Sequence, residues 1–224
     1  MSDHADLHDR IARRAYELFE ARGKQHGQDR ADWFQAEHDI REHSRVRYLS
    51  LAVQYYVAGR FAVHAGLNPV AGNLFHHAIE LALKGSLALA TSSEDLKRKY
   101  MHSLNPLWRD FKLSVTNPRL DRLDRTVSEL DQFETIRYPE HVEQHGMLAS
   151  IAPFRRDQDV KRPAKLPSSV PRYKLYLPEI DELLDAIFVA ASINPAFFKG
   201  EVFRSEAGEF LARDNPTRLR DLSQ

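Results

Sequence analysis

Cysteine is absent from the 224 residues of the sequence. A chain without thiols has no disulfide bond, no thiolate zinc site and no cysteine nucleophile, and such a composition is typical of a reducing compartment. Glycine is also scarce, with nine residues. Neither the glycine-rich patterns that bind phosphates and dinucleotides nor the serine-nucleophile pattern G-x-S-x-G occurs. These absences argue against several large classes of enzyme.

Long apolar runs and an excess of one charge are missing as well. The longest apolar run, Leu183 to Ile193, contains Asp185 and is too short to cross a membrane. The first residues are polar, without the apolar segment of a signal peptide. Lys and Arg total 32, and so do Asp and Glu, so the net charge does not favour nucleic acid or a membrane surface. The composition therefore predicts a soluble, cytoplasmic protein with no membrane partner.

Proline indicates where helices begin. Five of the eleven prolines follow asparagine, whose side chain can accept a hydrogen bond from a free N–H group of the first helical turn. Proline suits that turn because no N–H is needed there. Alternating runs of β-branched residues are almost absent, so the sequence predicts an all-α protein. The expected helices lie over 6–22, from 29 to about 40, over 46–65 and 69–89, after Asn105, over 118–136, and from Pro178 onwards.

Three regions are expected along the chain. Residues 1–44 form a helical hairpin of unknown function, residues 45–194 a helical bundle, and residues 195–224 a C-terminal tail. Gly23 and Gly66 are expected to end two of the helices, because glycine readily adopts the left-handed conformation that closes many helices. A two-helix hairpin cannot bury much core by itself, so we expect it to pack on the bundle or on a partner.

Residues 139–178 interrupt the expected bundle. They hold six of the eleven prolines, and a loop of this length is usually functional or disordered. Two short strands, near 147–151 and 172–177, would form a β-hairpin inside this insertion. Basic residues outnumber acidic ones here, which suits contacts with phosphates. The predicted nucleic-acid contacts are Arg155, Arg156, Lys161, Arg162, Lys165, Arg172 and Lys174.

Four polar residues, which we call the polar stripe, lie along the helix predicted over 69–89. Asn73, His77, Glu80 and Lys84 are spaced by four, three and four residues, which places them on one side of the helix. Small and apolar residues surround them, so we expect partial burial. The stripe is then either an internal network, since buried polar groups need partners, or part of a binding or dimer site. The expected apolar face consists of Val70, Leu74, Ala78, Ile79, Leu83 and Leu87.

A second candidate site begins at Arg137, where Pro139 ends the preceding helix. His141 and His145 are suitable metal ligands, although the H-E-x-x-H pattern is absent. Arg137 and Tyr138 could instead bind a phosphate group, with Arg137 as a two-pronged donor and His141 or His145 as acid or base. The structural alternative is that Arg137 only packs against the carboxylates of a helix.

The N-terminal hairpin carries a recognisable pattern, I-x-x-R-A-Y-x-L-(W/F)-x-x-x-G, followed by a glycine and then by W-x-x-A-E. The matching residues are Ile11, Arg14, Ala15, Tyr16, Leu18, Phe19, Gly23, Gly27, Trp33, Ala36 and Glu37. Over residues 10–40 the sequence therefore resembles a short bacterial family of unknown function. The resemblance implies no particular activity, because none is established for that family.

The stretch from Asn73 to Lys84 contains an Ala–apolar–Glu core followed by a lysine. It resembles the second helix of the HEPN superfamily, and the resemblance extends over about 48–194. It implies a four-helix up-and-down bundle and a homodimer; members include metal-independent ribonucleases, toxin partners, and proteins that bind nucleotides, RNA or protein. The ribonuclease members separate Arg and His by four to six residues. Arg137 and His141 are separated by three, so no nuclease role is carried over.

The sequence as a whole predicts an all-α, HEPN-like bundle with an N-terminal hairpin and a basic insertion before the last core helix. The main hypothesis is a non-catalytic binding module, a homodimer without a cofactor or metal, whose ligand is a nucleotide, RNA or protein. One alternative is a metal-independent ribonuclease of toxin type that uses Arg137 with His141 or His145. Another is a structural partner of a toxin–antitoxin-like protein.

Overall fold

A computed structural model of the protein describes residues 3–159, 169–194, 196–202 and 205–215. Its helix content of 75% confirms the expected all-α bundle. The helices are α1 (Asp3–Ala21), α2 (Asp29–His64), α3 (Asn68–Leu87), α4 (Ser93–Tyr100), α5 (Leu104–Val115), α6 (Asp124–Asp131), α7 (Pro139–His145), α8 (Leu177–Ala190), α9 (Ala196–Glu201) and α10 (Ser205–Ala212). The strands are β1 (Leu148–Ala152) and β2 (Arg172–Tyr176), and short 3-10 helices cover Pro118–Leu123, Gln132–Ile136 and Arg156–Gln158.

Helix α3 lies at the centre of the bundle. It packs against α2, α5 and α8, and Phe75, Ala78, Ile79 and Leu83 are fully buried. Because α3 has neighbours on several sides, its buried residues do not lie along one face only. Val70, in the first turn of α3, is 51% exposed, so the predicted apolar face is wrong at this position.

Helix α2 is one continuous helix of 36 residues, whereas the sequence pattern predicts two helices over this range. No glycine or proline lies between Ile40 and Val46, so nothing in the chain ends the helix there. An ion pair between Glu37 and Arg41, one turn apart, stabilises this part of it. The expected boundary between residues 44 and 45 therefore falls inside α2, which is shared by the hairpin and the bundle. The predicted ends at Gly23 and Gly66 are confirmed, since both glycines adopt a left-handed backbone.

The segment over 118–136 is not the single helix that its spacing suggested. Two 3-10 helices, Pro118–Leu123 and Gln132–Ile136, flank the short α6. Backbone bonds such as Leu120 N to Asn117 O wind these turns more tightly than an α-helix. The apolar positions expected to face the core are nevertheless buried: Leu120, Leu123, Val127, Leu130 and Ile136.

The two strands of the insertion form where they were expected, but they pair in parallel. The register runs from Leu148 opposite Arg172 to Ala152 opposite Tyr176. The predicted β-hairpin is therefore wrong. Parallel strands need a long crossover instead of a tight turn, and the chain between β1 and β2 provides that length.

Arg60 connects α2, α8 and the C-terminal segment inside the protein. Its Nη1 donates to the carboxylate of Asp181, and its Nη2 donates to the carbonyl oxygen of Arg213 at 2.8 Å. The hydroxyl of Tyr56 donates to the same carboxylate at 2.5 Å. The described residues 196–202 and 205–215 thus belong to the folded body, with α9 and α10 packed on α2. None of the helices in the described ranges is apolar over a length that could span a membrane.

Candidate functional site

The polar stripe is centred on a buried ion pair between Glu80 and Lys84. The two residues lie one turn apart on α3, and their side chains are 3% and 6% exposed. Lys84 Nζ donates to Glu80 Oε1 at 2.5 Å and to the carbonyl oxygen of Met101 at 2.7 Å. The expected burial of the stripe is confirmed for this pair, whereas His77 is about one third exposed.

Two histidines bind the second carboxylate oxygen of Glu80. The Nδ1 atoms of His77 and His102 each lie 3.3 Å from Glu80 Oε2. The ring of His77 also packs edge-on against Tyr55, with 4.4 Å between the centroids. His102 follows α4, and the only local signal near it in the sequence is the basic run at 97–99. Its contact with Glu80 depends on how α4 packs beside α3.

The charge of Glu80 is determined by these contacts. Burial alone raises the pKa of Glu80, but the hydrogen bonds from His77, Lys84 and His102, together with the positive charge of Lys84, lower its pKa to about 2. Glu80 is therefore a carboxylate at neutral pH, and it orients both imidazoles by accepting from their Nδ1 atoms.

A cavity of about 500 Å³ lies against this cluster, and we call it the interhelical cavity. Residues 6, 7 and 10 of α1 form one wall, α2 contributes positions from 40 to 48, and the rest of the lining comes from α3 and from the chain that follows it as far as His102. The hairpin and the bundle thus enclose the cavity together. Its charged and imidazole groups are Asp6, Arg10, Arg41, His77, Glu80, Lys84, Glu94, Lys97 and His102.

A smaller cavity of about 260 Å³ lies further towards the start of α3. Asn73, His77 and Arg137 line it together with Tyr55 and Glu134, and His77 also lines the interhelical cavity. Three of the six predicted binding residues are therefore neighbours here, although Arg137 is far from the other two in sequence, and Glu80 and Lys84 line the interhelical cavity. The sixth, Tyr138, lines neither cavity; it is exposed, with the Arg137 guanidinium 5.8 Å from its ring centre.

The side chains of the second candidate site, Arg137 and His141, contact other residues of the same chain. Arg137 Nη1 donates to Glu134 Oε1 at 3.4 Å, in an exposed ion pair. His141 Nε2 lies 3.0 Å from the hydroxyl of Tyr173, and the His141 and His145 rings stack at 4.8 Å. In the described part of the chain, no three side chains of His, Cys, Asp or Glu come together in an arrangement that could hold a metal ion.

The basic residues of the insertion are largely paired with carboxylates of the same chain. Arg156 binds both Glu129 and Glu179. Burial lowers the pKa of Arg156, but these two carboxylates raise it by more, so its pKa is raised overall. Lys174 pairs with Asp159. Arg155 pairs with Glu182, and Arg172 lies on β2. The remaining predicted contacts, Lys161, Arg162 and Lys165, lie outside the described residues.

Comparison with known proteins identifies the hairpin. Residues 6–42 match the family described as a protein of unknown function, DUF2934. The match confirms the resemblance to a short family of unknown function that the residue pattern indicated. No curated protein and no solved structure matches the chain.

Proposed function

We propose that the protein is a non-catalytic binding module that holds a small anionic ligand, of about nucleotide size, in the interhelical cavity. The observation that carries the proposal is the surplus of positive and imidazole groups around this cavity. Four cations, Arg10, Arg41, Lys84 and Lys97, and two histidines line it, against the three carboxylates of Asp6, Glu80 and Glu94. A lining in which cationic and imidazole groups outnumber carboxylates favours a ligand that carries negative charge.

The two histidines add contact points for the same ligand. Their Nδ1 atoms are occupied by Glu80, and their Nε2 atoms make no hydrogen bond within the described ranges. With Nδ1 held by Glu80, Nε2 is the ring nitrogen left to contact a ligand. Glu80 itself does not repel an anion strongly, because its charge is matched by Lys84.

The size and lining of the cavity also fit a small ligand. Cavities that bind such molecules measure about 300 to 1,000 Å³, and this one measures about 500 Å³. Tyr48 and Leu81 provide apolar lining for a ring. The resemblance of residues 73–84 to the HEPN superfamily, which includes nucleotide-binding members, supports the same choice. We also propose that the protein is a homodimer, as the same resemblance implies.

Calorimetric titration with nucleoside monophosphates, and with inorganic phosphate as the simplest anion, tests the proposal. Lys97→Ala should weaken binding by a factor of about ten or more, because a charge-assisted hydrogen bond contributes about 1.5 to 3 kcal/mol. Arg98→Ala is the matched control: it removes a positive charge from the next position of α4, outside the lining, and should leave the affinity unchanged.

Four outcomes contradict the proposal. The first is the absence of measurable binding at millimolar ligand, and the second is equal affinity in Lys97→Ala and the parent protein. The third is cleavage of structured RNA in EDTA that disappears in Arg137→Ala and His141→Ala, which would establish the metal-independent ribonuclease instead. Binding at unchanged strength as salt rises would also argue against an anionic ligand.

A further inference from the structure

A second concave surface lies on the hairpin, between α1 and the first turns of α2. Its volume is about 400 Å³. Three aromatic side chains, Tyr16, Phe19 and Trp33, line it together with the carboxylates of Asp29 and Asp32. We call this surface the aromatic cup. It shares no lining residue with the interhelical cavity.

The aromatic rings of the cup remain partly open to solvent. Tyr16 is 57% exposed, and its ring lies 6.2 Å from that of Phe19. Phe19 in turn lies 5.3 Å from the ring of His26. Ala12 and Ala15, whose side chains are small, also line the surface. A two-helix hairpin has no third layer to cover such a surface, so the rings are available to another molecule.

The charge around the cup favours a cation. Neither a lysine nor an arginine lines it. Asp32 is already paired with Arg22 across the turn between α1 and α2, whereas Asp29 makes no ion pair with any described residue. The faces of aromatic rings attract positive charge, and one unmatched carboxylate lies beside them. The cup therefore complements one positive charge that is attached to an apolar stem.

We propose that the aromatic cup binds a single lysine or arginine side chain presented by a partner protein. The alkyl stem lies against Tyr16, Phe19 and Trp33, as basic side chains commonly do on apolar surfaces. The charged end reaches Asp29. A free polyamine fits less well, because one unmatched carboxylate leaves its other charges without partners.

Nuclear magnetic resonance titration of the full chain tests this proposal with a defined probe, lysine with both ends blocked as amides. The protein contains two tryptophans, and Trp108 is buried in the core. The indole signal of Trp33 should shift in a saturable manner with a millimolar dissociation constant, while that of Trp108 stays in place. The equally blocked norleucine derivative has the same stem without the charge and should bind about tenfold more weakly.

Two variants and one control assign the binding to the cup. Asp29→Asn and Tyr16→Ala should each weaken binding about tenfold. Asp9→Asn removes the same charge from an exposed position of α1 outside the cup and should bind like the parent chain. Equal shifts with norleucine, or unchanged affinity in Asp29→Asn, would overturn the proposal.

The same titration separates the other occupants. Tighter binding of spermidine than of a peptide with one lysine would point to a free polyamine and overturn the partner assignment. Trp33 shifts that depend on protein concentration alone would indicate that a second copy of the chain covers the cup, which would also overturn it.

Discussion

At the scale of single residues, Glu80 is the group on which the candidate site depends. It accepts from Lys84 through one oxygen and from two histidines through the other. Placing a carboxylate inside a bundle costs free energy unless its hydrogen bonds and charge are matched. The hydrogen bonds and the charge of Glu80 are matched by His77 and Lys84 of α3 and by His102. The same contacts therefore stabilise the fold and orient the imidazoles.

The depressed pKa of Glu80 predicts how acid destabilises the protein. The pKa is about 2 in the folded chain and 4.5 for an unperturbed glutamate side chain, so the unfolded chain binds the proton more readily. The stabilisation is fully present above pH 4.5 and is lost as the pH falls towards 2; the shift corresponds to about 3 kcal/mol. In Glu80→Gln, the difference in unfolding free energy between pH 6 and pH 2 should shrink by about that amount.

Urea unfolding at a series of pH values measures this effect. Glu94→Gln is the control, because Glu94 lines the same cavity on α4 but has no ion pair within the described residues. Its acid profile should follow that of the parent protein. If Glu80→Gln kept the full acid dependence, the contacts of Glu80 would not be the cause.

At the scale of elements, the bundle depends on close approach between α3 and the 3-10 helix Gln132–Ile136. Gly72 of α3 lies directly against the ring of Phe133, and a Cβ atom there would overlap that ring. Phe133 is completely buried, so the ring has no free space into which it can move. The glycine therefore determines how closely α3 and this 3-10 helix pack. The smaller cavity, which Asn73 and Arg137 line, depends on the same close approach.

Gly72→Ala should destabilise the protein by about 3 kcal/mol, because overpacking a buried contact forces side chains and backbone to shift. Gly200→Ala provides the contrast, since a Cβ at that position of α9 meets no atom within 4 Å. It should change stability by less than about 1 kcal/mol, in the stabilising direction expected for alanine in a helix. Thermal unfolding of both variants measures the difference, and similar melting temperatures would refute the overlap.

At the scale of the whole molecule, the continuous α2 joins the two parts of the protein. Its first turns pair with α1 through Arg14–Asp39 and Arg22–Asp32, and its later turns pack in the bundle core from Leu49 onwards. The interhelical cavity lies where these two parts meet. The hairpin thus supplies a wall of the candidate site while contributing little to the core.

A chain that begins at residue 29 should therefore still fold cooperatively. It loses the burial of Ile11 and the partly exposed ion pairs to α1, which together contribute about 2 to 4 kcal/mol. Circular dichroism should show a single unfolding transition at a lower temperature, and the nucleotide binding that we propose for the interhelical cavity should be lost with Arg10. A broad, non-cooperative transition would contradict this division of roles.

Much of the fold follows from short patterns in the sequence. The helix ends at Gly23 and Gly66, the helix that begins at Asn68, and the spacing of the polar stripe all depend on residues within a turn or two of one another. Even so, Asn68 is not the cap that the Asn-Pro pattern suggested, because Leu67 occupies that position and no side chain caps α3. The pattern located the helix correctly through proline, not through asparagine.

The sequence by itself determined the all-α class, the positions of α1, α3 and α8, and that Glu80 and Lys84 share one side of α3, because helix geometry is local. Only the tertiary structure decided that His102, 22 residues from Glu80, binds the same carboxylate oxygen, that Arg10 of the hairpin faces the bundle's cavity, and that β1 and β2 run in parallel. These contacts join residues distant in the chain, and their geometry depends on how the buried side chains of several helices fit together.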